Sequence, residues 1–168
     1  MVFKLGHAAL AAALLFASFG IASANDLAAQ LVGVWKLNTS ERKYDDGKTI
    51  KPLGDKPQGI AVLTKGGNMV FAIHAGDRKG PPAGQPATDA ELAALYRTAF
   101  FASGTYKVEN DKGLVVIHYD ASSAPSFIGL DSRSTLTVTG SSLTWIGPEF
   151  KDEKGRAFHN HFTFNRLE

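Results

Sequence analysis

The chain has 168 residues, 44% hydrophobic and 20% charged, a balance that supports a packed core and excludes a disordered acidic or basic tail. Lys+Arg 18 against Asp+Glu 16 leaves a formal net charge of +2 with no basic run along which a phosphate backbone can track, so nucleic acid is not an expected partner. Cys 0 rules out a cysteine nucleophile, a cysteine zinc site, an iron–sulfur cluster and any disulfide.

At the N-terminus Lys4 precedes an apolar stretch from Ala8 to Ile21, and Ala22-Ser23-Ala24 has the small-x-small pattern that a signal peptidase accepts. A membrane span needs about 20 apolar residues, and this stretch is shorter and interrupted by Gly20. Residues 1–24 are therefore expected to be a cleaved signal peptide, with residues 25–168 a periplasmic or secreted domain not stably inserted in a membrane. A chain of this size buries enough surface to fold on its core alone, as a monomer or weak dimer.

Asp26 followed by Leu27 to Leu31 predicts a capped helical turn with both leucines on one side. The period then changes to two. Gly33 to Asn38 reads as a strand burying Trp35 and Leu37, and Thr39 to Pro57, with its charges, glycines and prolines, reads as a loop. Gln58 to Thr64 and Asn68 to His74 form a hairpin around Lys65-Gly66-Gly67, followed by a Gly/Pro-rich stretch from Gly76 to Pro86. Thr88-Asp89-Ala90-Glu91 is a capping box, and Leu92, Leu95, Tyr96, Ala99 and Phe100 continue at helical spacing, predicting an amphipathic helix over Asp89 to Ala102. Five further strands follow: Gly104 to Glu109, Leu114 to Tyr119, Ser132 to Val138, Leu143 to Ile146 and Ala157 to Arg166. The fold class is mainly β. Eight strands joined by short connections, with the helix between strands three and four, can close into an antiparallel barrel wide enough for one small ligand.

Gly33-Val34-Trp35-Lys36-Leu37 after a short helical turn resembles the Gly-x-Trp signature of lipocalins. Further landmarks resemble a bacterial and fungal family of lipocalin-like domains, calycin-type barrels: Gly54-Asp55-Lys56-Pro57-Gln58-Gly59, Gly66-Gly67-Asn68-Met69, Gly104-Thr105-Tyr106-Lys107-Val108, His118 with Pro125 and Gly129, Gly140-Ser141-Ser142-Leu143-Thr144, and Arg166 closing the last strand. The resemblance implies an eight-stranded lipocalin-like barrel, with Trp35 as a floor plug and Arg166 stacked across it. It also implies an inward arginine on the sixth strand. Here Ser134 stands at that position and Arg133 one residue earlier, which leaves the face of Arg133 open. Phe164 stands where the family often has a larger aromatic. The family resemblance implies shape more firmly than chemistry.

Alternation places Met69, Phe71, Tyr106, Trp145 and Phe162 toward the lumen as a pocket of apolar and aromatic side chains. Asn160 shares the face of Phe158, Phe162 and Phe164, and a buried amide there needs a partner, from neighbouring strands, a water or a ligand. His159 and His161 take the opposite parity and point outward, with no further ligand in sight, so no metal site is expected. His118 lies in a strand apolar on both faces, so its direction stays open; facing inward, it is the candidate acid/base. Ser122, Ser123 and Ser126 lack a nucleophile elbow, and no catalytic residue or cofactor is assigned.

The candidate ligand-binding residues are thus Met69, Phe71, Tyr106, His118, Trp145, Asn160 and Phe162. The leading reading is an exported lipocalin-like protein holding a small hydrophobic molecule, with the helix and the Gly76 to Pro86 loop covering one side. Two alternatives stand beside it: a lipocalin-fold isomerase, cyclase or lyase in which His118 and Tyr106 exchange protons, and an envelope accessory protein with a filled barrel.

Overall fold

The computed structural model describes residues 24–110 and 112–168. The signal-peptide expectation falls on residues outside these, apart from Ala24. The described chain runs α1 (Ala24–Leu31), β1 (Gly33–Tyr44), β2 (Thr49–Ile50), β3 (Gln58–Leu63), β4 (Asn68–His74), α2 (Asp89–Arg97), β5 (Ala99–Val108), β6 (Leu114–Ser122), a 3-10 turn at Pro125–Phe127, β7 (Asp131–Thr139), β8 (Ser142–Lys151) and β9 (Ala157–Arg166). Strands β3 to β9 pair antiparallel in sequence order, β1 pairs with both β3 and β9, and the sheet closes on itself as an eight-stranded barrel. The two-residue β2 is an appendage on the far end of β1. Counting it puts the helix between β4 and β5, which are the third and fourth strands of the barrel proper.

Closure requires strongly bent strands, and three register shifts supply bends: at Leu37/Thr39, Ser103/Gly104 and Ile146/Glu149. At the second, Gly104 lets β6 approach so closely that a Cβ on it would lie 1.9 Å from the His118 carbonyl oxygen. Between these shifts the inward side chains follow period two: Met69, Phe71 and Ile73 on β4, Val115, Ile117 and Tyr119 on β6, and Leu143 and Trp145 on β8 are buried.

One end of the barrel is plugged. Leu27 and Leu31 of α1 bury against Trp35, whose Nε1 donates to the Leu31 carbonyl at 2.8 Å. The Arg166 guanidinium lies 4.0 Å over the Trp35 ring and donates to the carbonyls of Gln30 and Val32, satisfying the C-terminal end of α1. The floor plug implied by the family resemblance is therefore present.

Three element boundaries differ from the sequence expectation. The helix ends at Arg97, because Phe100 and Ala102 turn inward on strand parity and β5 takes over at Ala99. Its N-terminus has the expected capping box, with Thr88 and Glu91 bonded reciprocally, but it buries no residue. Strand β1 continues through the expected loop to Tyr44, and β8 runs on to Lys151. Both extensions were hidden because their inward positions are polar or irregular, Ser40 and Arg42 on β1 and Gly147 on β8.

Candidate functional site

At the end away from α1 the barrel opens into a cavity of about 380 Å³. Its depth is aromatic. Phe71 sits at the centre, with ring centroids of Trp145 at 5.1 Å and Phe162 at 5.3 Å, all edge to face. Met69 and Ile73 fill in beside it, and Phe100, Phe127, Phe150 and Phe158 build the walls. Phe127 comes from the 3-10 turn and bridges Phe100 at 5.6 Å and Tyr119 at 5.3 Å, so the Pro125–Phe127 connection folds an aromatic wall over the mouth. Pro52 contributes to the lining from the connection after β2, Arg97 from the end of α2 and Pro148 from within β8.

The polar groups are few: Ser40 and Arg42 from β1, Asn160 from β9, Ser132 and Ser134 from β7, and Tyr119 from β6. Arg42 and Asn160 stand directly opposite each other in the β1–β9 register, so both side chains issue from one spot on the wall. The Arg42 guanidinium lies 4.1 Å over the Phe158 ring, and its Nε is buried without a hydrogen-bond partner. Ser132 is 8% exposed, and its hydroxyl makes no hydrogen bond of ordinary geometry even beside Tyr119. Burial pushes the Tyr119 phenol up, and the neighbouring Ser132 hydroxyl opposes this in part. Among the described residues the lining includes no aspartate or glutamate.

Of the residues singled out from sequence, Met69, Phe71, Trp145, Asn160 and Phe162 come together around this cavity. Tyr106 and His118 do not. Tyr106 has the inward parity but lies toward the plugged end, where its hydroxyl donates to the Thr64 carbonyl at 2.9 Å and its ring lines a separate hollow beside α1. His118 is on the outer face of β6, because Val115, Ile117 and Tyr119 take the inner one. Its Nδ1 is 2.7 Å from Asp131 Oδ1, and Asp120 lies within 3.8 Å of its Nε2. The placement of His118 in the lumen is thus corrected, and the residue after it, Tyr119, is the one facing in. The helix and loop also cover less than expected: α2 brings only Arg97 to the lining, and the Gly76 to Pro86 stretch brings nothing.

Ser134 is buried and inward, while Arg133 is exposed and pairs with Glu109 at 3.5 Å. His159 faces away from the lumen and its Nδ1 is 2.9 Å from the Gly147 carbonyl. Burial, then Lys43 and His159, push the His161 imidazole down. Among the described residues no group of three or more histidines and carboxylates gathers to hold a metal ion. Sequence reasoning missed Arg42, Tyr119, Ser132 and the Phe100, Phe127 and Phe150 walls, while Phe158 lies on the inward face of β9 as expected. No alternation of polarity marked Arg42, because Ser40 and Arg42 alternate with the equally polar Glu41 and Lys43.

A closed antiparallel barrel with one plugged end and one open, aromatic-lined end defines a barrel of the lipocalin type. The chain belongs to the lipocalin-like domain family, whose model matches residues 32–165. No curated protein matches it. Among solved structures it is similar to EF1p2_mFAP2b bound to DFHBI, at 16% identity over 83% of this chain and 97% of that one, with a TM-score of 0.41.

Proposed function

We propose that the protein holds one small, mainly apolar molecule in the open end of its barrel. The observation that carries this reading is the cavity of about 380 Å³ walled by aromatic side chains with a handful of polar groups, a volume and composition typical of small-molecule sites. Burying about 200 Å² of apolar ligand surface at about 25 cal/mol per Å² yields about 5 kcal/mol before association costs, so affinity without polar anchors is micromolar at best. Asn160 is the anchor foreseen from sequence, and Arg42 and Ser132 join it. An isomerase, cyclase or lyase built on His118 and Tyr106 needs both inside the chamber, and neither lines it.

N-phenyl-1-naphthylamine, neutral and fluorescent only in apolar surroundings, tests the reading. Saturable one-to-one binding in the micromolar range is expected, weakened at least tenfold in Ser132→Phe, which fills the chamber. Absence of saturable binding, or equal affinity in a folded Ser132→Phe variant, overturns it. The small-x-small pattern at Ala22-Ser23-Ala24 supports export to the periplasm or beyond. N-terminal sequencing of protein from the producing cell's periplasmic or secreted fraction is expected to begin at Asn25; an intact chain starting at Met1 overturns export.

A further inference from the structure

We infer that the chamber selects an amphipathic anion, a molecule with an apolar body and a carboxylate head, and that Arg42 is the residue that reads the head. This deepens the proposal that the chamber is a ligand site and rests on it.

Arg42 reaches the lumen wall on the polar-faced end of β1. A guanidinium carries five N–H donors in a fixed plane and stays charged at every physiological pH. Here it lies over the face of Phe158, which engages its flat side and leaves the donor edge free to meet an acceptor. Its Nε is shielded from solvent with no acceptor, and no ion pair joins Arg42 to a carboxylate among the described residues. An unpaired cation at the wall of an apolar chamber is costly, and such groups are ordinarily paired. No carboxylate among the described residues does this. Its neighbours on β1 are spoken for on the outer face, where Lys43 pairs with Glu41 at 3.5 Å. The second cation of the lining, Arg97, stands at the mouth and is exposed, and among the described residues no acidic side chain lines the chamber to repel an anion.

The supporting donors are placed for the same task. Asn160 is the direct cross-strand neighbour of Arg42, so its amide can donate to the acceptor that the guanidinium holds. The Ser132 hydroxyl, buried beside Tyr119 on β7, is a further donor. A carboxylate matches a guanidinium fork with two parallel N–H···O bonds, and charge-assisted bonds of this kind are the strong ones. The apolar body then extends toward Phe71, Trp145 and Phe162.

The experiment compares decanoate with decan-1-ol, a matched pair, as competitors of N-phenyl-1-naphthylamine at pH 7.5. A purely apolar chamber prefers the alcohol, because the carboxylate must be stripped of water. The inference requires the opposite order, with decanoate at least tenfold tighter. Arg42→Gln is expected to reverse that order, read as the ratio of the two competitors' affinities within the variant, and Arg42→Lys to keep part of the preference. Arg97→Gln separates the mouth from the wall, changing the decanoate preference less than threefold. Equal or inverted preference in the parent protein, or an undiminished preference in a folded Arg42→Gln, overturns the inference while leaving the ligand chamber intact. Failure of the neutral probe itself to bind overturns the chamber reading instead.

Discussion

Position 118 shows how one residue of parity decides between a site and a surface. Its imidazole has the chemistry of an acid/base, but its strand presents Val115, Ile117 and Tyr119 inward and leaves His118 beside Asp131 and Asp120 outside. His118→Ala is accordingly expected to leave ligand affinity within twofold, measured by probe titration, with little stability lost because exposed ion pairs are worth about 0–1 kcal/mol. A fivefold loss would mean that the outer face communicates with the lumen. Leu114, Val116 and His118 were as plausible an inner set as their neighbours, since an apolar run on both faces carries no phase. On β4 the larger side chains Met69, Phe71 and Ile73 alternate with Asn68, Val70 and Ala72, and only the larger set is buried; Trp145, Phe158, Asn160 and Phe162 on β8 and β9 were readable from the same period of two. Arg42 was unreadable for the converse reason: both faces of β1 are polar there, so the strand resembled a loop.

Among the elements, β5 bears the tightest constraint. It bulges at Ser103/Gly104, and the missing side chain at Gly104 is what lets the β6 backbone pass. A methyl there meets the His118 carbonyl at 1.9 Å and the Asp120 nitrogen at 3.1 Å, both backbone atoms that cannot swing aside. Gly104→Ala is therefore expected to cost about 2–4 kcal/mol, read from urea unfolding, since core overpacking costs 1–3 kcal/mol and the obstacle here is rigid. A cost below 0.5 kcal/mol would show the bulge to be soft. The glycine stood in the Gly104 to Val108 landmark, but its reason did not, because the contact joins residues on different strands. The same holds for the helix. Ala99 and Phe100 fit helical spacing after Tyr96, and only their pairing with β4, Ile73 opposite Phe100 and His74 opposite Ala99, pulls them into a strand.

At the scale of the molecule, the pairing of β1 with β9 turns a meander into a vessel. Eight strands, their order and most of their bounds follow from local pattern and turn chemistry, but closure is the longest-range contact in the chain and leaves no local trace; only the resemblance of the Gly33-Val34-Trp35 start and the Arg166 end implied it. Those two ends meet at the plug, where Trp35 is opposite Arg166 in the register. The plug fills one end of the barrel and leaves the chamber at the other. An occupant that binds only the folded barrel must stabilise it: at a free concentration one hundred times its dissociation constant the gain is about 2.7 kcal/mol. For a domain of this size each kcal/mol raises the melting temperature by about 2–4 °C, so saturating decanoate is expected to raise it by about 5–10 °C. Differential scanning fluorimetry of the parent protein and of the chamber-filled Ser132→Phe checks this. The rise should be confined to the parent, and an equal rise in both would place the binding outside the barrel's open end.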